Sequence, residues 1–211
     1  MNVEALFTIG VRTPRLELRL PTLDELEELY RVAEAGIHPP AEMPFAFAWT
    51  DNLRHDTFLD FHQGALRDWR PSLWECHFVT FAGGRVIGTQ NIGAREFATN
   101  REVGTGSWLG RPFQRQGYGL EQRAAILEFA FAGLGAERAK SGALVHNVAS
   151  QRISEKLGYR MTGVSEVAPR GEPVPHHDYV IERGEWRCPI EIRIEGLEPA
   201  LPLFGAFPQS G

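Results

Sequence analysis

The chain has 211 residues, 43% of them hydrophobic and 23% charged, with a formal net charge of -5 and a pI near 5.8. That size suits one soluble domain with a sizeable core, and the acidic balance speaks against a general nucleic-acid binder, whose affinity comes from a basic surface. Cys76 and Cys188 stand far apart with no metal-ligand spacing around them, so no disulfide framework, zinc site or other metal is expected and the thiols fit a cytoplasmic protein. No basic-then-apolar leader is read at the start, and the most apolar stretch, residues 124–135, is short and broken by Glu128, so no membrane span is expected.

Residues 15–20 alternate charged and apolar side chains, as a strand with one buried face does. Thr22 and Glu25 form a capping box, and Leu23, Leu26, Leu29, Tyr30 and Ala33 make an apolar stripe, which predicts a helix to about residue 35, ended by Gly36. Residues 36–49 lose periodicity and gather prolines with Met43, Phe45, Phe47 and Trp49, a loop with large apolar groups; a second helix is expected over 52–69. Two β-rich runs, 74–82 and 85–92, are joined by the hairpin pair Gly83-Gly84, residues 94–100 read as a turn, and 102–109 as the next strand.

Between that strand and a helix expected over 118–131 lies Gln114-Arg115-Gln116-Gly117-Tyr118-Gly119. Glycines let the backbone approach a ligand, and the helix that follows presents unpaired N–H groups and a positive dipole end, so the layout suits a phosphate or diphosphate. A P-loop is excluded because Gly119 is followed by Leu120-Glu121, and a dinucleotide fold would place this turn after the first strand. Arg111, Arg115, Arg123 and Arg152 lie around it in sequence.

Residues 138–145 predict a strand parallel to its predecessor through a right-handed crossover, 149–157 a short helix stopped by Gly158, and 159–167 and 178–183 closing antiparallel strands around a proline-bearing loop at 171–177. Residues 1–186 are expected to form one domain, with 187–211 an extension: an edge strand at 191–194 and an apolar segment at 201–204 that needs cover from its own domain or a partner subunit, leaving a homo-oligomer open.

Gln114-x-x-Gly117-x-Gly119 after a strand, followed about 30 residues on by Asn147-x-x-Ser150-x-x-x-Ser154-x-Lys156-Leu157-Gly158-Tyr159, resembles the two core motifs of the GNAT N-acetyltransferases, over residues 12–183. The run from Gly106 through Trp108 and Phe113 to Gly119 is most similar to the RimJ/RimL branch, which acylates protein N-termini and other amines. The resemblance implies an α/β mixed sheet, mostly antiparallel with one splayed parallel pair, flanked by helices. It also implies an acyl-CoA N-acyltransferase, acetyl-CoA by default, acting on a primary amine in a ternary complex without metal, with the 36–49 segment shaping the acceptor pocket. A succinyl-CoA enzyme and a non-catalytic acyl-CoA-binding module are the alternatives.

Such a reaction must align thioester and amine, deprotonate an ammonium, polarise a carbonyl and release a thiolate. The diphosphate is expected on backbone N–H groups from Arg115 through Gln116, Gly117 and Tyr118 to Gly119, and the pantetheine on Trp108 and Leu109. Asn147 and Ser150 lie beside it, Asn147 serving equally as the helix cap. Ser154 stands where many relatives carry a tyrosine acid, and an ordinary helix serine is the competing reading. Glu102 is the candidate base through a water, or else a surface carboxylate beside Arg101; His146, His176 and His177 are spare candidates.

Overall fold

The computed structural model describes residues 2–206. In chain order its strands and helices are β1 (Gly10–Arg12), β2 (Leu16–Arg19), α1 (Leu23–Glu34), α2 (His55–Arg67), β3 (Leu73–Ala82), β4 (Arg85–Arg95), α3 (Phe97–Asn100), β5 (Glu102–Leu109), α4 (Tyr118–Glu128), β6 (Arg138–Leu144), α5 (Val148–Lys156), β7 (Arg160–Val167), β8 (Val174–Glu182) and β9 (Arg193–Glu195). The described strands make one sheet, ordered β7-β8-β6-β5-β4-β3-β2-β1-β9, and β5 with β6 is its parallel pair.

Side-chain alternation along β3 and β4 divides the core between the two sheet faces. Val79, Phe81 and Val86 pack with Leu26 and Leu29 of α1 and Phe58 of α2, whereas Cys76, Phe78 and Ile87 pack with α4. The capping box forms: the Thr22 hydroxyl accepts from the Glu25 N–H, and the Glu25 carboxylate accepts from the Thr22 N–H. Gly83 and Gly84, at φ +56° and +76°, make the tight hairpin.

Every residue from Glu121 to Leu127 of α4 is buried, so this helix is enclosed all round rather than along one stripe, and a single π-helical turn (Phe129–Gly133) finishes it. Gln122, enclosed with the rest, accepts a hydrogen bond from Thr80 Oγ1 at 2.9 Å.

Two expectations need correction, and one strand was not anticipated. Residues 94–100 are not one turn: β4 continues to Arg95, and Glu96 and Arg101, both left-handed at φ +51° and +49°, bracket the short helix α3. The 171–177 loop is shorter than its proline implied, because β8 already starts at Val174; Pro175 uses only its carbonyl, which accepts from the Val145 N–H at 2.9 Å. Strand β1, three residues long, gave no alternating pattern and exists through its pairing with β2 and β9.

The described part of the C-terminal extension packs on its own domain; 207–211 lie outside the described residues. β9 lies on β1, and the 3₁₀ segment Glu198–Phe204 inserts Phe204, fully buried, between Trp69, Trp74 and Phe129 at ring-centroid distances of 5.2, 4.9 and 5.9 Å. Both indoles point their N–H at this segment, Trp69 to Leu203 O at 2.8 Å and Trp74 to Phe204 O at 3.1 Å. Removing the Phe204 ring leaves a cavity among three aromatic groups, so Phe204→Ala is expected to lower the unfolding free energy by about 3–5 kcal/mol, measured by urea denaturation.

Candidate active site

β5 and β6 pair only at Glu102 with Arg138, Val103 with Ala139 and Gly104 with Lys140, and then diverge. At the fork the Thr105 hydroxyl donates to Lys140 O at 3.3 Å. Beyond it, the edge of β5 from Thr105 to Leu109 faces a cleft of about 940 Å³ whose far wall is Ser141 to Leu144 and α5. Backbone polar groups along an opened strand edge demand a partner, and an extended amide-bearing chain supplies one.

The mouth of the cleft is the glycine-rich turn, and its shape is set by side chains. Gly110 leaves β5 against α1, where any Cβ would sit 2.6 Å from Val32 Cγ1. The Gln114 amide donates to Ile37 O at 2.7 Å and Leu109 O at 2.8 Å, tying the turn to the end of β5 and to the loop after α1. Gln116 donates to Pro112 O at 2.7 Å. Arg115 and Gly117 take left-handed φ values of +61° and +86°, and Gly117 caps α4. Gln114 and Gln116 thus shape the turn with their side chains, while the N–H groups at the start of α4 are oriented outward by the helix itself.

Arg15 and Glu121 lock this turn to β2, a pairing that sequence patterns did not disclose. Arg15 Nε donates to Glu121 Oε2 at 2.7 Å and Arg15 Nη1 to Gln116 O at 3.0 Å, with the guanidinium 4.7 Å from the Tyr118 ring centre. Thr13 Oγ1 and the Arg15 N–H donate to Glu121 Oε1. Around the cleft stand Arg111, Arg115, Arg123, Arg152 and Lys156, against one carboxylate, Glu42. An acidic protein has therefore concentrated cations where a diphosphate would lie, and the open strand edge, glycine turn and charge together fit acyl-coenzyme A.

A family model described as the acetyltransferase (GNAT) domain matches residues 15–160. The chain belongs to the GNAT acetyltransferase family. Solved GNAT structures share its fold. RimJ of Mycobacterium smegmatis, solved with CoA-disulfide, superposes with a TM-score of 0.70 at 18% identity, covering 86% of this chain and 90% of that one. RimL, the ribosomal L7/L12 α-N-protein acetyltransferase solved with coenzyme A, gives 0.66 at 18% identity over 81% and 95%. A GNAT acetyltransferase from Bacillus anthracis gives 0.63 at 19% identity over 83% and 99%.

The GNAT motif residues fall at different depths. Trp108, Leu109, Gln114, Arg115, Gly117, Gly119, Asn147 and Ser150 line the cleft, whereas the exposed Gln116 and half-buried Tyr118 lie outside its lining and Ser154 is buried behind its wall. Asn147 caps α5, its Oδ1 accepting from the Ser150 N–H at 3.1 Å, and its amide donates to Pro44 O at 3.2 Å. Ser154 is 1% exposed; its hydroxyl donates to Ser150 O and accepts from Arg123. Glu102 sits at the zipped end of the fork, outside the cleft lining, its carboxylate 2.6 Å from Lys140 Nζ and 3.5 Å from Arg138.

On the α1/α2 face a second cavity of about 460 Å³ meets the cleft at Gly106, Ser107 and Trp108. Its walls include Phe45, Phe47, Trp49, Phe58, Phe61 and Trp108, and no carboxylate lines it. Beside the Gln114 bond to Ile37 O, the 36–49 loop is held in place by His146 on Met43 O (2.7 Å), Asn147 on Pro44 O, and Arg170 on Pro40 O (2.9 Å), Arg170 also engaging Asp51 (2.7 Å). The Arg170 guanidinium lowers the Asp51 pKa.

His62, also missed in the sequence, lies in this cavity with its ring against Phe58, Phe61 and His77. Burial, then the neighbouring His77, lowers its pKa from 6.5 to about 3. The unfolded chain therefore binds a proton below about 6.5 that the folded one refuses until about 3, so this stability is complete above pH 6.5 and is lost as pH falls through that window. His62→Gln is expected to flatten the loss of stability between pH 6.5 and 3, read from urea midpoints across that range.

Proposed function

We propose that this GNAT enzyme transfers a short acyl group, acetyl by default, from acyl-coenzyme A to the primary amine of an acceptor whose neighbouring group is apolar. The observation that carries the reading is the junction of two chambers at Gly106–Trp108, one cationic and open to an extended arm, the other aromatic and free of carboxylates. When bound, the coenzyme supplies a thioester, an already activated carbonyl.

Backbone N–H groups from Arg115 to Gly119 and the end of α4 would hold the diphosphate, with the Arg115 side chain adding charge. Trp108 and Leu109 on the open edge of β5 would pair with the pantetheine amides, and Asn147 and Ser150 would border them across the cleft. Gly106 leaves space beside β5, since a Cβ there would have no neighbour within 4 Å. That gap would serve as the passage between the chambers.

An ammonium entering an aromatic chamber without a carboxylate loses solvation and gains no counter-charge, so its pKa falls and the neutral amine is favoured. The chamber thereby supplies much of what a general base would do, and Glu102 stays outside this scheme because Lys140 and Arg138 engage it. A protein N-terminus, the acceptor named for RimL, fits if its first side chain is apolar; an arylalkylamine fits equally.

The deciding experiment follows thiol release from acetyl-CoA with peptides of apolar or acidic first residue, arylalkylamines and spermidine. The apolar amines are expected to show the highest kcat/KM; preference for spermidine would overturn the acceptor class, and coenzyme binding without turnover on any amine would favour a sensing module. Gly117→Glu is expected to abolish coenzyme binding in calorimetry, because it forces a side chain into φ +86°, 3.1 Å from Arg15 Nη2, and sets a carboxylate where the diphosphate lies.

A further inference from the structure

The wall of the cofactor cleft contains a charge with no counter-charge. Arg123, on the second turn of α4, is 5% exposed, yet it borders the cleft. Its Nη1 donates to Ser154 Oγ at 3.0 Å and its Nη2 to Ser150 Oγ at 3.3 Å, and its Nε has no hydrogen-bond partner. None of the ion pairs found among the described residues includes it; the one acidic group acting on it is the phenol of Tyr159, which burial keeps protonated by raising its pKa. Burial lowers the pKa of the guanidinium itself. A buried cation resting on neutral hydroxyls is an unfavourable arrangement unless an anion visits it.

The direction of approach follows from the fold. A linear arm running from the glycine turn along the open edge of β5 towards the fork passes from Leu109 to Thr105, about 13 Å of strand. α4 packs behind β5, and Arg123 lies about 8 Å along its axis from Tyr118, so its side chain borders the inner part of the same channel. Ser154 does not reach the cleft: the guanidinium stands between them.

We infer that Arg123 receives the coenzyme's sulfur as a thiolate, and that Ser150 and Ser154 are positioning residues that aim the guanidinium. This rests on the proposed use of the cleft for acyl-coenzyme A. As the amine nitrogen bonds to the acyl carbon, the carbon–sulfur bond breaks and its electron pair stays on sulfur. The surplus proton of the amine passes to water. The leaving group then departs without a proton from a hydroxyl, which an aliphatic serine, a weak acid, would give up reluctantly.

The test is the acidity of the coenzyme A thiol on the protein, followed by thiolate absorbance against pH, with protein loaded with desulfo-coenzyme A as the blank so that Cys76 and Cys188 cancel. Arg111, Arg115, Arg152 and Lys156 also border the cleft, with Glu42 and His176, so the contribution of Arg123 is isolated by substitution. The wild type is expected to lower the thiol pKa by about one unit from its value in free solution, giving roughly tenfold more thiolate near neutrality. Arg123→Met is expected to abolish most of that shift, and Arg123→Lys to retain part of it. If coenzyme A fails to bind the wild type, the reading of the cleft fails. If it binds and its thiol titrates as in free solution, or the shift survives in Arg123→Met, the role of Arg123 is overturned; should neither variant fold, Ser154→Ala, which removes a group aiming the guanidinium, is expected to shrink the shift, and an undiminished shift there overturns the role.

Discussion

Three residue pairs hold β5 to β6, and everything that makes this protein a catalyst depends on the pairing stopping there. A parallel pair that continued would satisfy its backbone internally and leave no room between the strands. Because the strands part after Gly104 and Lys140, an edge of β5 is left with polar groups to satisfy and a channel to satisfy them from. The turn at its mouth, the helix α5 along its far side and the 36–49 loop across its end are all fastened by side-chain contacts to backbone carbonyls, so the rim of the channel is tied into the fold.

Charge placement follows the same economy. A carboxylate in the first turn of α4 would compete with an incoming anion for the positive end of that helix. Glu121 is there, but Arg15 already matches its charge and Thr13 donates to it, and it serves to hold the turn to β2. The helix end remains available, and the cations around the cleft give a local positive field on a chain whose net charge is -5.

Much of the fold was legible because local chemistry and tertiary structure agree. Thr22 with Glu25, Gly83-Gly84, and the glycines that follow β5 each demand one backbone geometry and obtain it. What escaped was decided at long range. β1 is three residues defined by neighbours on both sides, and Pro175 looked like a breaker until a strand formed that needed only its carbonyl. Arg15 and Glu121 are 106 residues apart. Arg123 ends the polar triplet Glu121-Gln122-Arg123, where sequence patterns foretell neither its burial nor its partners; only packing against α5 reveals both.

The aromatic plug at residues 198–206 has a bearing on how the molecule comes to be made. Trp69 and Trp74 wait for carbonyls 134 and 130 positions downstream, and the outer edge of the sheet is closed by a strand beginning at Arg193. A ribosome that has released the first 190 residues has therefore produced a sheet with a bare flank and a hollow core. Completion waits for these residues, and until residue 206 has emerged Trp69 and Trp74 lack the ring and the carbonyls that cover them.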